Sequence, residues 1–240
     1  DTSRSSKPCI WVSYRPTTFS MSSNLISVII LRWFAKVLHR VREDIEITCY
    51  DCLEATPTSI DCDAYIITGS RHSVYDDLPW ITELVAYIRC VLDAGRKVLG
   101  VCFGHQLMAH FFGGEVGPSP RGWAVGVHRS QVVTKQSWMG VEDVIDFQLL
   151  SSHKDQVKKL PKGAQLYATN DFCPIAGFTL GSQIWTIQGH PEFMPAYSRA
   201  LINLRREILG EETCRAGLDS LDTPTSEELL AEWMINFSDK

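Results

Sequence analysis

Three absences narrow the field before any motif is considered. The chain has no basic excess: 23 Lys and Arg stand against 28 Asp and Glu, a formal net charge of −5 over 240 residues. With no basic stripe either, this argues against a general nucleic-acid binder. There is no apolar run of membrane-spanning length. The most apolar stretch, Leu25 to Leu38, is interrupted by Arg32 and Lys36 and falls short of the roughly 20 residues a span requires. There is also no internal repeat, linker or low-complexity segment to mark a second domain. The composition, 45% hydrophobic and 21% charged, is that of an ordinary globular chain.

Cysteine is plentiful but lacks a metal-site pattern. Of the eight cysteines, Cys49, Cys52 and Cys62 come closest to one. No fourth ligand stands at a matching spacing, whereas structural zinc wants four ligands in paired spacing. The cysteines are scattered and no secretory leader precedes them, which implies reduced thiols in a cytoplasmic setting.

What is present is concentrated in two short segments. The first is Gly100-Val101-Cys102-Phe103-Gly104-His105-Gln106. A β-branched, apolar stretch from Lys97 to Val101 runs into a cysteine with glycine two positions away on either side. A helix-compatible run follows, from His105 to Phe112. This is the pattern of a strand–turn–helix elbow, with cysteine as nucleophile. Glycines there let strand and helix approach closely, and the central residue is forced into strained backbone. The thiol then stands at a helix N-terminus, where the dipole favours an anion.

The second segment is Gln188-Gly189-His190-Pro191-Glu192, directly after a strand-like run from Gln183 to Ile187. His190 can act as base toward a thiol and as acid toward a leaving amine. Glu192 can accept a hydrogen bond from the other ring nitrogen and fix the tautomer. Pro191 restricts the backbone between them. The order Cys102…His190…Glu192 supplies nucleophile, base and orienter.

Together, GVCFGHQ and QGHPEF resemble the motifs of the class I, triad-type glutamine amidotransferases. Two further segments fit the same family. Ala64 to Ser70 is a buried strand ending in a small-residue loop. By resemblance, Gly69, Ser70 and Phe103 supply backbone N–H groups to an oxyanion hole, worth about 3–4 kcal/mol per donor in well-studied cases. Ser151 to Val157 is similar to the family's S-H-G-D-x-V segment, with Lys154 where the family has glycine. That places Ser152 and His153 beside the substrate, with Gln106 at its amino-acid end. The resemblance implies that Cys102 attacks a γ-glutamyl amide and forms a thioester, with no metal and no cofactor. His105 and His110 read as packing or hydrogen-bonding residues. His39, His72 and His128 have no partner pattern.

The segments Gly69 to Trp80 and Arg121 to Gly126 resemble the stand-alone branch that includes γ-glutamyl peptidases. No synthase-like segment follows within these residues. The first reading is therefore a hydrolase acting on a small molecule, glutamine or a γ-glutamyl peptide. A glutaminase subunit feeding ammonia to a separate synthase is the alternative partner-dependent reading. A third is a non-catalytic binding or regulatory member, against which the intact Cys102, His190 and Glu192 weigh. Arg71, Tyr75, Trp123 and Trp185 are candidates to line the acceptor side of the pocket, although aromatics beside strands are usually core.

The expected architecture is α/β: a mostly parallel central sheet flanked by helices, with a smaller antiparallel addition, as in the flavodoxin-like fold of the family. Strands are expected at 46–50, 64–68 and 97–101, then shorter ones at 122–134, 145–150, 164–170, 175–180 and 183–188. Apolar residues Ile81, Leu84, Val85, Ile88 and Leu92 repeat at helical spacing within 79–93. Helices are also expected at 196–209 and 226–237. Leu25–His39 reads as helix toward its end, though Ser27–Leu31 is β-branched enough for a strand. Residues 1–24 carry no assignment, and Cys9–Val12 is a poor strand candidate. Residues 25–240 read as a single domain.

Overall fold

A computed structural model describes residues 8–12, 23–141 and 143–240. Five strands run parallel in the order β2 (Thr48–Asp51), β1 (Pro8–Val12), β3 (Ala64–Ile67), β4 (Lys97–Val101) and β11 (Ile184–Ile187). The sheet then continues antiparallel through β10 (Gly177–Leu180), β9 (Ala164–Thr169), β6 (Ala124–Val132) and β7 (Asp146–His153). A separate two-stranded antiparallel ribbon joins β5 (Glu115–Pro118) to β8 (Asp155–Lys159). The antiparallel addition is thus continuous with the parallel sheet, apart from this ribbon.

Helices cover both faces because the strands are apolar on both. In β3, Ala64 and Ile66 join a core with α1 (Ser23–Val41) and α7 (Glu227–Ser238), through Phe34, Leu38, Leu230 and Met234. Tyr65 and Ile67 point the other way, into a core with α2 (Pro79–Asp93) and α3 (Phe103–Phe111), through Leu84, Ile88 and Leu107. The period of two along a strand dictates this division. β4 repeats it, with Leu99 and Val101 on the first face and Val98 on the second. Continuous apolar strands buried on both faces are what parallel sheets require. The remaining helices, α4 (Pro195–Leu204), α5 (Arg206–Leu209) and α6 (Glu211–Asp219), form a smaller third core with β6 and β7.

Several expectations are corrected. Pro8–Val12 is a strand, and it lies inside the parallel sheet between β2 and β3. Residues 1–7 and 13–22 lie outside the described residues. Ser27–Leu31 belongs to helix α1. The expected helix over 196–209 breaks at Arg205, whose φ of −99° and ψ of 14° separate α4 from α5. Cys62 is disulfide-bonded, so the expectation of reduced thiols fails there. Cys49, Cys52, Cys90, Cys102, Cys173 and Cys214 are free. Among the described residues, no helix is long and apolar enough to cross a membrane.

Candidate active site

Three adjacent parallel strands, β3, β4 and β11, end side by side. Ile67 pairs with Gly100, and Ile187 with Val101. The loops leaving their carboxyl ends carry Gly69, Cys102 and His190, which therefore converge. Open α/β sheets bind ligands at this edge.

Cys102 is the turn residue between β4 and α3. Its φ of 54° and ψ of −97° make it the only non-glycine residue with positive φ among the described residues. A β-carbon in this region is strained, and the strain persists only where the surroundings impose it. Here they do. The Cys102 N–H donates to Ile187 O (2.9 Å) and its carbonyl accepts from Gln106 N–H (3.1 Å). The flanking glycines make the turn feasible. A β-carbon on Gly100 would stand 2.5 Å from Gly104 O, and one on Gly104 would stand 2.3 Å from Ile67 O. The result is a 6% exposed sulfur-bearing residue at the first turn of α3.

His190 faces it. The ring is close enough to the Cys102 sulfur to feel its charge, and its Nδ1 pairs with Glu192 Oε1 at 2.8 Å. The His190 and Glu192 side chains are almost completely buried, 4% and 1% exposed. Burial alone pushes the imidazole down. The Glu192 carboxylate and the Cys102 sulfur outweigh burial and carry it up to about 10. Phe193 stacks flat on the ring, 3.7 Å between centroids and 7° between planes. His190 N–H donates to Leu150 O (2.8 Å), tying the loop to β7. Gly69 is also close: a β-carbon there would lie 3.1 Å from His190 Cε1.

A cleft of about 210 Å³ opens over this group. Of the nine residues singled out by sequence, Gly69, Ser70, Cys102, Gln106, Ser152, His153 and His190 line it. Glu192 stands behind His190. Phe103 is 1% exposed and its ring packs on Trp80. Its backbone N–H belongs to the first turn of α3, where helices leave donors without intrahelical partners.

The three substrate candidates have protein partners. Gln106 Nε2 donates to Asp155 O (2.8 Å) and Gln188 Oε1 (3.2 Å). His153 Nδ1 lies 3.0 Å from Asp155 O, and burial pushes its ring down to about 3 despite that hydrogen bond. Ser152 Oγ accepts from Arg205 Nη1 (3.0 Å). His105 is buried between Thr186 Oγ1 and Ile175 O, again pushed down to about 3 by burial. It is a packing residue, as its position on the helix suggested.

The four acceptor-side candidates divide. Arg71 and Trp123 line the cleft. Tyr75 does not; its hydroxyl donates to Asp155 Oδ2, at 2.8 Å. Trp185 is a correction. The strand period turns it toward α7, where it is fully buried against Tyr167 and Trp138. His72, Phe193, Leu201 and Arg205 also line the cleft, though the sequence reading gave them no role. Phe193 follows Glu192 directly, so the motif itself held the signal. Arg205 has no local signal at all.

The fold and the cleft define a doubly wound α/β enzyme with a strand–turn–helix elbow. A family model described as class-I glutamine amidotransferase matches residues 22–203. The chain belongs to the class I glutamine amidotransferases. It is 28% identical over 176 residues to gamma-glutamyl peptidase 3 of Arabidopsis thaliana, covering 70% of each chain. It is 34% identical over 176 residues to the glutamine-hydrolyzing GMP synthase of Clostridium botulinum, covering 65% of this chain and 30% of that protein. A crystal structure of a glutamine amidotransferase from Thermotoga maritima shares the fold, with a TM-score of 0.77, 16% identity, and coverage of 99% of this chain and 100% of that one.

Proposed function

We propose that this protein hydrolyses the γ-glutamyl amide bond of a small molecule through a γ-glutamyl thioester on Cys102. The observation that carries the reading is the strained Cys102 lining one cleft with His190, which Glu192 holds in turn. In this reading the Cys102 sulfur attacks the γ-carbonyl carbon. Backbone N–H groups of Gly69, Ser70 and Phe103 receive the developing oxyanion. The His190 imidazolium gives its proton to the departing amine, and the C–N bond breaks. Water then attacks the thioester, His190 takes the water's proton, and glutamate leaves as the sulfur is released. Glu192 keeps Nδ1 protonated and stabilises the charged ring. No step calls on a metal or cofactor.

The similarity to γ-glutamyl peptidase supports a self-sufficient hydrolase. The similarity to GMP synthase supports a second reading, a glutaminase subunit handing ammonia to a separate synthase. Glutamate release by the purified chain, offered glutamine and then γ-glutamyl peptides, separates the two. Unaided turnover is expected. Cys102→Ala should abolish it and also abolish labelling by a glutamine-like electrophile, with the fold retained. Labelling that survives in the variant removes Cys102 from the nucleophile's role. A silent wild-type chain whose Cys102 still labels would favour the subunit reading.

A further inference from the structure

The cleft has a charge that neither the chain nor the triad accounts for. Three cations line it, Arg71, Lys154 and Arg205, in a chain of net charge −5. Its one lining carboxylate, Asp155, is held by Ser73 Oγ (2.6 Å) and Tyr75 O–H (2.8 Å), not by any of the three. Among the described residues, Arg205 has no carboxylate partner. Other arginines do find carboxylates: Arg96 pairs with Asp63 at 2.8 Å, Arg206 with Glu211 at 2.6 Å and Arg42 with Asp239.

Arg205 is also the best-fixed of the three. It sits at the break between α4 and α5, where its N–H donates back to Leu201 O (3.1 Å) and Ile202 O (3.2 Å). Its guanidinium donates one Nη1 hydrogen bond to Ser152 Oγ (3.0 Å) and lies over the Trp123 ring, 5.3 Å from the centroid. A hydroxyl and an aromatic face orient the fork without neutralising it. The remaining donors suit a carboxylate, which a guanidinium binds in two parallel hydrogen bonds. Free glutamine brings one carboxylate, one ammonium, and a leaving group, ammonia, with nothing to recognise. A γ-glutamyl peptide brings a second carboxylate on the part that leaves.

We propose that Arg205, held by Ser152 and Trp123, is the subsite for the carboxylate of the leaving amino acid, making γ-glutamyl peptides with a free acidic end the preferred substrates over glutamine. This rests on the γ-glutamyl hydrolase reading above and specifies its substrate class. Arg71 and Lys154 add a positive field along the same cleft.

The test is equilibrium binding to Cys102→Ala, which keeps the cleft but cannot turn over. The ligands are γ-glutamylglycine and γ-glutamylglycinamide, identical except for the leaving-side carboxylate. A preference for the acid of about 10- to 100-fold is expected. It should collapse to near parity in Cys102→Ala/Arg205→Gln and be partly restored by Arg205→Lys. Equal binding of acid and amide in Cys102→Ala would overturn the proposal. So would a preference that survives Arg205→Gln. Equal weakening of both ligands by Arg205→Gln would place Arg205 on the α-carboxylate instead, and would overturn it too. Glutamate release by the Cys102 protein is read separately. Absent turnover with the acid preference intact would sink the hydrolase reading and leave the subsite standing.

Discussion

On one side of the cleft lining, Gly69, Cys102 and His190 stand on the termini of three neighbouring strands, packed so closely that a β-carbon on Gly104 would lie 2.3 Å from Ile67 O. Among the other lining residues, Arg205 stands at a helix break, and Arg71 and Lys154 are exposed loop residues. The first end is built on backbone: a strained turn, sheet register and strand-end hydrogen bonds. The second is built on side chains that reach in from β7, the α4–α5 junction and surface loops. Bond-breaking chemistry needs atoms held within fractions of an ångström, and recognition of a charged group tolerates more play. The two ends should therefore respond differently to substitution, in size and in kind.

The largest effect is expected at the reacting end. Glu192→Gln keeps the size of the side chain but removes the charge that holds His190 protonated. The glutamate-release rate should fall by about 10²- to 10⁴-fold without vanishing, since the proposed nucleophile and oxyanion donors remain. The imidazole should also titrate lower, because the carboxylate is the leading influence opposing its burial. The pH–rate profile should shift toward acid accordingly. An unchanged rate and profile would detach Glu192 from the chemistry.

Rigidity makes the next test. In Gly104→Ala the new methyl would meet Ile67 O at 2.3 Å and Ile67 Cβ at 2.8 Å. Alanine in a helix gains about 1 kcal/mol over glycine. A clash with strand backbone, which cannot swing aside, should cost more than the 1–3 kcal/mol of ordinary overpacking. A net loss of about 2 kcal/mol is expected in denaturant unfolding. Lys154→Ala at the open end should stay within about 0.5 kcal/mol of wild type. Comparable losses for both would erase the contrast.

The same contrast governs what could be read from the sequence. The reacting end was legible because its information is local. Glycines two residues from Cys102 report a close approach, and a proline between His190 and Glu192 reports a fixed loop. The helix at 79–93 and the strand at 97–101 were legible for a similar reason, a clear period bounded by Pro79 and Gly95. β1 was not, since five residues without strong punctuation become a central strand only by pairing with β2 and β3, more than 35 residues away. β5 and β8 hide behind Pro118 and a charged Asp155–Lys159. α6 hides behind a glycine: Gly217 looks like a breaker but permits close packing, since a β-carbon there would lie 2.8 Å from Val125 Cγ2. Arg205 was least legible, because nothing near it in sequence names Ser152 or Trp123.

Protons offer a further test, because the buried histidines are driven in opposite directions. His190 is raised to about 10, above its unfolded value near 6.5, so its stabilisation is complete below pH 6.5 and is lost as pH climbs toward 10. His105 and His153 are lowered to about 3. Each stays neutral in the fold while the unfolded chain charges, so their contribution is complete above pH 6.5 and fades as pH falls toward 3. Stability should therefore peak near neutrality. The alkaline limb should carry about one proton from His190 and the acid limb about two from His105 and His153, with carboxylates adding to the latter. His190→Gln should flatten the alkaline limb and leave the acid one. An alkaline limb of undiminished slope in that variant would contradict the charge state assigned to His190.

The smallest effect belongs to the open end. Trp123→Leu removes the ring under Arg205 but leaves the Ser152 hydrogen bond and the charge in place. A partly exposed cation–π contact is worth about 0.5–1 kcal/mol, which corresponds to about 2- to 5-fold in affinity. KM for γ-glutamylglycine should rise by that factor while kcat stays nearly constant, because the proposed triad is not touched and the loss falls equally on ground and transition states. A kcat loss instead would mean that Trp123 helps position the reacting bond. The division between a rigid chemical end and an adaptable recognition end would then have to be redrawn to include the wall of the cleft.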